Sequence, residues 1–367
     1  MNPALTHIHD TLQSIKSEIQ EDIIGQDAMI EKLIITFFAG WHALLEWVPG
    51  LGKTKTIRTF AKVLGLDTGR VSFTPDLLPS DLTGSEIYRQ QKGEFTIRKG
   101  PVFTHILLAD EIKRTPPKVQ SALLEAMEEK KVTIGDKTLD LPSPFVVFAT
   151  QNPLEHEGTY PLPEAQLDRF LMKIVLSYPS IEDERRIFIQ ETVGSTPLVG
   201  FESALLAASY SKAEAGKGTP STPSDSAYKG EKLDPADLLE MMDYIAKSVR
   251  VDDKIYEYIC DIISAIRKLA LPINTITTKD EDKKLNFWGF RTPALSYGAS
   301  TRAGLALIRA GRVRAVMTGR DYMLPEDVKA LAHEILDHRI GLSYESMSEG
   351  ITTHSITDTV LDSVRIP

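Results

Sequence analysis

The chain has 367 residues, 42% hydrophobic and 25% charged, which is the balance of a globular protein with a sizeable core. Its formal net charge of −9 argues against a dedicated nucleic-acid-binding protein, although a local basic patch is compatible with it. No apolar run reaches the length of a membrane span, and residues 1–10 show no secretory signal. The single cysteine, Cys260, excludes an internal disulfide framework and suits the cytoplasm, where we expect the protein to act.

The N-terminal part predicts two helices, a strand and a loop, followed by a third helix. Apolar residues recur at helical spacing over 3–21, 28–38 and 54–64, and residues 43–45 form a short apolar run typical of a buried strand. Between this strand and the third helix stands Val48-Pro49-Gly50-Leu51-Gly52-Lys53-Thr54. Strand, glycine-rich loop and helix in this order indicate a phosphate-binding loop of the form G-x-x-x-x-G-K-[ST].

The residue types of this loop suit an anion. Gly50 and Gly52 lack a Cβ, so backbone N–H groups can approach a phosphate closely, and the following helix directs its positive end at the same space. Lys53 would reach the β- and γ-phosphates, and the Thr54 hydroxyl would bind Mg²⁺. The alternative is a turn that binds nothing, because Trp47 stands where the pattern has Gly.

We therefore expect a nucleotide to be bound by the loop and by residues upstream of the first strand. The candidate loop contacts are Pro49, Gly50, Leu51, Gly52, Lys53, Thr54 and Lys55. Ile24 and Gln26 lie where an adenine ring could rest, although ordinary packing explains their positions equally well.

The next segment predicts the acidic half of the same site. Residues 70–73 indicate a short strand, and residues 88–99 alternate around a glycine as in a hairpin. The apolar run at 104–109 then ends in Asp110 and Glu111. Asp110 at a strand's carboxyl end can hold Mg²⁺ through water, and Glu111 can polarise an attacking water as a general base.

Further strands and helices follow in alternation, which predicts a mostly parallel sheet with helices on both faces. A helix is expected over 117–129, a hairpin over 132–139 and a buried strand over 145–150. That strand delivers Asn152, whose amide could orient the attacking water beside the general base. His156 stands between two glutamates nearby, but without a second ligand at zinc spacing a solvated loop is the better interpretation.

A helix over 162–170 contains Arg169, and two interpretations of this residue stay open. It could be a surface salt-bridge partner of Asp168, or it could be supplied to the γ-phosphate of a neighbouring subunit. A strand over 172–176 closes this part of the chain.

Residues 1–179 are thus predicted to form a nucleotide-binding core, and residues 180–367 a small all-helical domain. Ser-, Gly-, Pro- and Lys-rich or otherwise polar stretches at about 212–231 and 272–290 predict flexible insertions. We interpret Cys260 as a small buried apolar residue, since no basic residue adjoins it.

Several long motifs resemble the MoxR branch of the AAA+ ATPases. They are Val48–Thr54, Phe73–Asp81, Leu107–Ile112, Pro116–Met127 and Ala149–Phe170, and similarity extends over most of the chain. The resemblance implies an α/β P-loop NTPase core, with a parallel sheet sandwiched by helices, followed by a small all-α lid domain. It also implies ATP and Mg²⁺ as cofactors and a ring, commonly a hexamer, with ATP at each subunit interface.

The same resemblance implies a role for each matching residue. Lys53 and Thr54 match Walker A, Asp110 and Glu111 match Walker B, Asn152 matches sensor 1, Arg169 the arginine finger and Arg302 sensor 2 on the lid. The two hairpins match insertions that face the pore or the client. The family remodels or activates client proteins, often with partners that carry von Willebrand factor A domains.

Three residues depart from the family pattern: Trp47, Trp41 and Lys113. Trp47 could strain the loop or crowd the nucleotide, and a lysine at 113 close to Glu111 would stabilise its carboxylate and weaken it as a general base. An alternative to an ATP-driven motor is therefore a nucleotide-gated scaffold with negligible hydrolysis. A DNA-remodelling motor is the least favoured alternative, because the net charge is −9.

Overall fold

The structure is a computed structural model, and it describes residues 2–46, 52–90, 93–153, 158–176, 178–193, 233–270 and 294–367. Trp47, Pro49, Gly50 and Leu51 lie outside the described residues, as do His156 and both predicted insertions. No helix in the described part of the chain is both long and apolar enough to cross a membrane.

A five-stranded parallel sheet forms the centre of the first half. Its strands are β1 (Ala43–Glu46), β2 (Thr68–Ser72), β5 (Ile106–Asp110), β8 (Val146–Gln151) and β9 (Met172–Val175), in the spatial order β2-β5-β8-β1-β9. All four neighbouring pairs are parallel, so the carboxyl ends of the strands meet at one edge of the sheet. The predicted parallel sheet is confirmed.

Two antiparallel hairpins form separate two-stranded sheets, in the segments where the sequence predicted hairpins. They are β3 (Gly84–Arg89) with β4 (Glu94–Lys99), and β6 (Lys131–Ile134) with β7 (Lys137–Asp140). The exposed rings of Tyr88 and Phe95 lie side by side on the first hairpin, with 5.1 Å between their centres.

Helices cover both faces of the sheet because successive strand residues point to opposite sides. Ala43 and Leu45 of β1 belong to one apolar cluster, whereas Leu44 belongs to a second cluster on the other face. The helices of this half are α1 (Pro3–Asp22), α2 (Asp27–Phe38), α3 (Lys53–Val63), α4 (Pro79–Thr83), α5 (Pro117–Glu129) and α6 (Glu164–Leu167), and α7 (Ile181–Val193) follows the last strand. The helix predicted over 162–170 is thus shorter.

The second half is a helical lid, as predicted, apart from one short pair of strands. Its helices are α8 (Pro235–Ser248), α9 (Asp253–Leu269), α10 (Thr301–Met317), α11 (Pro325–Leu336), α12 (Tyr344–Ser348) and α13 (Thr353–Ser363), and the strands are β10 (Leu295–Tyr297) and β11 (Gly341–Leu342). The larger apolar cluster runs without interruption from α1 and α2 into α8, α9, α10 and α11.

The interpretation of Cys260 as a buried residue is wrong, because its side chain is exposed. The buried stripe of α9 contains Ile255, Ile259, Ile262 and Ile266, at helical spacing. Cys260 is one residue past Ile259, about 100° further around the helix, and therefore leaves the stripe.

A buried arginine joins the lid to the core. Arg339 follows α11, and its Nε lies 2.8 Å from Asp168 Oδ1. The same guanidinium donates to the carbonyl oxygens of Phe170 and Leu171, just before β9. Burial lowers the pKa of Arg339 to about 10, although its hydrogen bond to Asp168 raises it, so the group stays charged at neutral pH. The other oxygen of Asp168 accepts from the Ser300 hydroxyl at 2.8 Å.

Candidate functional site

The carboxyl edge of the sheet brings together three residues that the sequence analysis predicted for one site. Helix α3 begins at Lys53, after Gly52 with φ of +74°, a conformation that glycine adopts without strain. Lys53 Nζ lies 3.0 Å from Asp110 Oδ1 and 3.9 Å from Glu111 Oε1. Thr54 is the next residue in the first turn of the helix.

Asp110 is a buried carboxylate held by three donors. Arg70 from β2 donates at 2.7 Å, the Thr150 hydroxyl from β8 at 2.8 Å, and Lys53 at 3.0 Å. Burial would raise the pKa of Asp110, but the hydrogen bonds from Arg70, Thr150 and Lys53 outweigh it and hold the pKa below its ordinary value. The group is therefore ionised, as a ligand of Mg²⁺ must be.

The sequence analysis missed Arg70 and Thr150. Arg70 lies on β2 and Thr150 on β8, the strands on either side of β5, so both side chains reach Asp110 only because of the strand order. A sequence pattern predicts a strand but does not say which strands are neighbours, and no local signal marks these two residues.

Glu111 occupies a strained backbone position directly after β5. Its φ is +62°, in the left-handed region that non-glycine residues adopt at a cost of about 1–2 kcal/mol. The backbone N–H donates to the Thr150 hydroxyl at 2.9 Å, and the carboxylate accepts from Arg114 Nε at 2.8 Å. Thr150 thus fixes both members of the acidic pair. Strain held in place by specific hydrogen bonds is a frequent property of active sites.

Among the described residues, the cations beside the Glu111 carboxylate are Arg114 at 2.8 Å and Lys53 at 3.9 Å, and Lys113 forms no ion pair with it, so the expectation that Lys113 lies close to it is wrong. Burial lowers the pKa of Lys113, and the ammonium interacts with the charges of Glu46 and Lys173. Lys113 and Arg114 are consecutive residues of one short 3-10 turn, and Arg114 is the one that pairs with Glu111. Glu46 forms an ion pair with Lys173 and ends β1, directly before the phosphate-binding loop.

Asn152 comes directly after β8, the strand between β5 and β1, and it is buried. Its neighbour Gln151 pairs in register with Glu46, at the carboxyl edge of the sheet. The predicted sensor residue is therefore on the same edge as the acidic pair.

A cavity of about 360 Å³ adjoins the start of α3, within the size range of small-molecule sites. Ile24 and Gln26 line it, as the sequence analysis proposed for an adenine ring, and so does Lys55. The remaining lining residues are Asp22, Ile23, Gly52, Thr56, Pro179, Glu184, Ile187, Phe188 and Gln190. Four of these residues, from Glu184 to Gln190, belong to α7, so this helix lines the cavity, which its sequence did not indicate.

Arg169 and Arg302 meet elsewhere, at one carboxylate. Arg169 lies 2.8 Å from Glu128 Oε2, and Arg302 lies 2.8 Å from Glu128 Oε1. The interpretation of Arg169 as the salt-bridge partner of Asp168 is wrong, since Asp168 pairs with Arg339. We refer to Arg169, Arg302 and Arg309 as the arginine cluster.

Trp41, where glycine is usual, contacts this cluster. Its indole N–H donates to the Arg169 carbonyl at 2.6 Å, and the Arg309 guanidinium lies 5.2 Å from the ring centre. A cavity of about 200 Å³ here is lined by Gly40, Trp41, His42, Met127, Glu128, Lys130, Arg169, Arg302 and Arg309. Four of these residues are basic and one is acidic, which suits an additional anion.

The arginine cluster lies at the opposite edge of the sheet from Lys53. Trp41 precedes β1 and Arg169 precedes β9, and these strands pair in parallel with Ala43 opposite Met172. Lys53 follows the other end of β1. At about 3.3 Å per residue, the four-residue strand separates the two edges by more than about 10 Å. The structure therefore does not bring Arg169 or Arg302 to Lys53 of the same subunit.

Comparison with known proteins agrees with this fold and site. Residues 42–172 match the model of the ATPase family associated with various cellular activities, and residues 291–360 match the AAA lid domain. The fold, the Lys53–Asp110–Glu111 site and these two matches define the chain as an AAA+ ATPase.

Individual relatives narrow the assignment. The chain is 39% identical to "Chaperone MoxR1" of Mycobacterium tuberculosis, over 97% of this chain and 82% of the relative. It is 29% identical to "Protein MoxR" of Methylorubrum extorquens, over 92% and 90%. A crystal structure of a candidate ATPase from Cytophaga hutchinsonii matches with a TM-score of 0.79 and 40% identity, over 99% of this chain and 97% of that one. The chain belongs to the MoxR family, as its motifs predicted.

We predict that Thr150→Val destabilises the protein and slows any nucleotide turnover. The substitution keeps the branched shape but removes the acceptor for the Glu111 N–H and a donor to Asp110. We expect the free energy of unfolding, measured with urea, to fall by about 1–3 kcal/mol. The matched control is Thr133→Val on the exposed face of β6, which should change it by less than about 0.5 kcal/mol. Equal effects of the two substitutions would contradict the role assigned to Thr150.

Proposed function

We propose that the protein binds ATP with Mg²⁺ and hydrolyses it to drive the remodelling or activation of client proteins. The observation that carries this proposal is the approach of Lys53 to Asp110 and Glu111, at the sheet edge where the phosphate-binding motif begins. A lysine at the start of a helix, beside two carboxylates at the end of a strand, can bind phosphate and Mg²⁺ and activate water.

Each residue then has a definite task. Lys53 binds the β- and γ-phosphates, with the backbone of Pro49, Gly50, Leu51 and Gly52 around them. Thr54 and Asp110 hold Mg²⁺, Glu111 polarises the attacking water, and Asn152 orients that water. Ile24, Gln26 and Lys55 line the cavity beside α3, which is where we place the nucleoside.

Arg169 and Arg302 complete the site of another subunit. Their place at the opposite sheet edge supports this, since neither side chain can span the sheet to its own Lys53. Glu128 holds both guanidinium groups, and the γ-phosphate of a neighbouring subunit would replace it as their anion. A head-to-tail contact of this kind closes into a ring, for which we propose six subunits.

The other parts of the proposal rest on family membership. We propose residues 1–179 as the nucleotide-binding core and 180–367 as the lid, and the cytoplasm as the place of action. The name of the Mycobacterium tuberculosis relative includes the word chaperone, which supports client proteins as the substrates of this chain. Proteins with von Willebrand factor A domains are candidate partners, and we propose no role in binding nucleic acid.

We predict Mg²⁺-dependent ATP hydrolysis by the purified full chain. Lys53→Ala should abolish steady-state turnover by removing the phosphate ligand, and Glu111→Gln should bind ATP but hydrolyse it at least about 100-fold more slowly. Lys62→Ala, at an exposed position in the last turn of the same helix, is the matched control and should keep full activity.

Three outcomes of this assay are informative. Turnover that Lys53→Ala leaves unchanged would contradict the proposed site. Unchanged turnover in Glu111→Gln would remove Glu111 as the base. Binding without turnover in the wild type would favour the nucleotide-gated scaffold, and a large rise in Trp47→Gly would then identify Trp47 as the cause.

We also predict that two inactive variants restore activity when mixed. Lys53→Ala subunits keep the arginine cluster, and subunits with both Arg169→Ala and Arg302→Ala keep Lys53. If the arginines act on a neighbour, roughly a quarter of the interfaces in a randomly mixed ring combine two intact halves. ATP turnover of the mixture should therefore exceed the sum of its parts. Arg365→Ala, which is exposed, is the control for loss of an arginine. A mixture that stays inactive, although native mass spectrometry detects mixed rings, would contradict the proposal.

A further inference from the structure

Four titratable side chains meet on the lid, between α11 and α13. His333 is on α11 and Asp337 ends it, while His354 and Asp358 are on α13. The two imidazole rings stack, with 3.7 Å between their centres and 23° between their planes. We refer to these four residues as the lid histidine cluster, and none of them belongs to the ATP site.

One carboxylate orients both rings. Asp337 Oδ2 lies 3.3 Å from His333 Nδ1 and 3.2 Å from His354 Nδ1. A carboxylate oxygen accepts hydrogen bonds, so each Nδ1 carries the hydrogen in this arrangement. The second oxygen of Asp337 accepts from the Thr357 hydroxyl at 2.6 Å, which fixes the carboxylate itself.

The other ring nitrogens then face the second carboxylate. His333 Nε2 lies 3.1 Å from Asp358 Oδ1, and His354 Nε2 lies 3.9 Å from Asp358 Oδ2. In a neutral imidazole with its hydrogen on Nδ1, Nε2 presents a lone pair. Two lone pairs therefore face an anion, and a positive charge between them would stabilise this arrangement.

We propose that the lid histidine cluster binds a divalent transition-metal ion of the Zn²⁺ class. His333 Nε2, His354 Nε2 and Asp358 are the ligands, and Asp337 is a positioning residue that holds both rings, as second-shell carboxylates commonly do. The candidate ligand atoms lie within 4.8 Å of one another. Metal–ligand distances of about 2.0–2.2 Å place tetrahedral ligands roughly 3.4 Å apart, so the ligands must approach one another, and the exposed ring of His354 must also turn out of the stack so that its lone pair points at the ion.

The exposure of the ligands allows that approach. The side chains of His354 and Asp358 are 63% and 55% exposed, so they can move toward His333 without disturbing the core. One metal ion also neutralises the two carboxylates.

The metal would fasten the C-terminal helix α13 to α11. The residue after His333 is Glu334, which forms an ion pair with Lys32 of α2, so α11 already contacts the other half of the chain. The site is therefore a structural one, and its existence does not depend on ATP hydrolysis. Nitrogen ligands favour Zn²⁺ over Mg²⁺, so millimolar Mg²⁺ should not compete.

The test is a Zn²⁺ titration of the full chain after treatment with a chelator, in competition with a chromophoric chelator and with millimolar Mg²⁺ present. We expect one tightly bound Zn²⁺ per subunit. His333→Ala, His354→Ala and Asp358→Asn should each weaken binding by about 100-fold or more, and Asp337→Asn by about 10–100-fold. His7→Ala and Asp362→Asn, both exposed and the latter also on α13, are the matched controls and should bind as the wild type does.

Two further readouts keep the test decisive. Co²⁺ in place of Zn²⁺ should give the strong visible absorption of a tetrahedral site, and bound Zn²⁺ should raise the melting temperature of the wild type but not of Asp358→Asn. Wild-type protein without stoichiometric Zn²⁺ binding, or binding that survives both His333→Ala and Asp358→Asn, would overturn the proposal.

Discussion

The carboxylate of Asp110 is the group on which the candidate nucleotide site depends. It ends β5, which lies between β2 and β8 in the parallel sheet, and it accepts hydrogen bonds from both of these strands and from the first residue of α3. A buried carboxylate without such donors would be costly, and its pKa would rise. Because Thr150 binds Asp110 and also the backbone of Glu111, one hydroxyl positions the proposed ligand of Mg²⁺ and the proposed base together.

The second constraint is the length of the strands. A short parallel sheet places Lys53 at one edge and the arginine cluster at the other, which is the basis of the proposal that each subunit contributes to two different ATP sites. Buried interactions hold the arginine cluster in place. Asp168 is tied to Arg339 and Ser300 of the lid, and the next residue is Arg169, whose carbonyl oxygen accepts from Trp41. A change in lid position would therefore reach Arg169 directly, which gives ATP turnover a physical route to conformational change.

Much of this arrangement could be predicted from the sequence because its signals are local. Apolar periodicity predicted α1, α2 and α3, short apolar runs predicted strands of the central sheet, and the residue pattern around Lys53 predicted a phosphate-binding loop. The misses concern contacts between segments distant in sequence. Arg70 and Thr150 depend on strand order, and Arg114 rather than Lys113 reaches Glu111 because of a single 3-10 turn. Cys260 was predicted to be buried, but it lies one residue beyond the buried stripe of its helix. The lid histidine cluster forms only when α11 and α13 pack together.

The central claim is that each ATP site is completed by a second subunit. It is tested most directly by ATP turnover per subunit measured across a range of protein concentrations, with the assembled fraction determined in parallel by mass photometry. The account predicts that turnover per subunit rises in proportion to the assembled fraction and extrapolates to zero for the monomer. A monomer that hydrolyses ATP as fast as the assembled protein would contradict it.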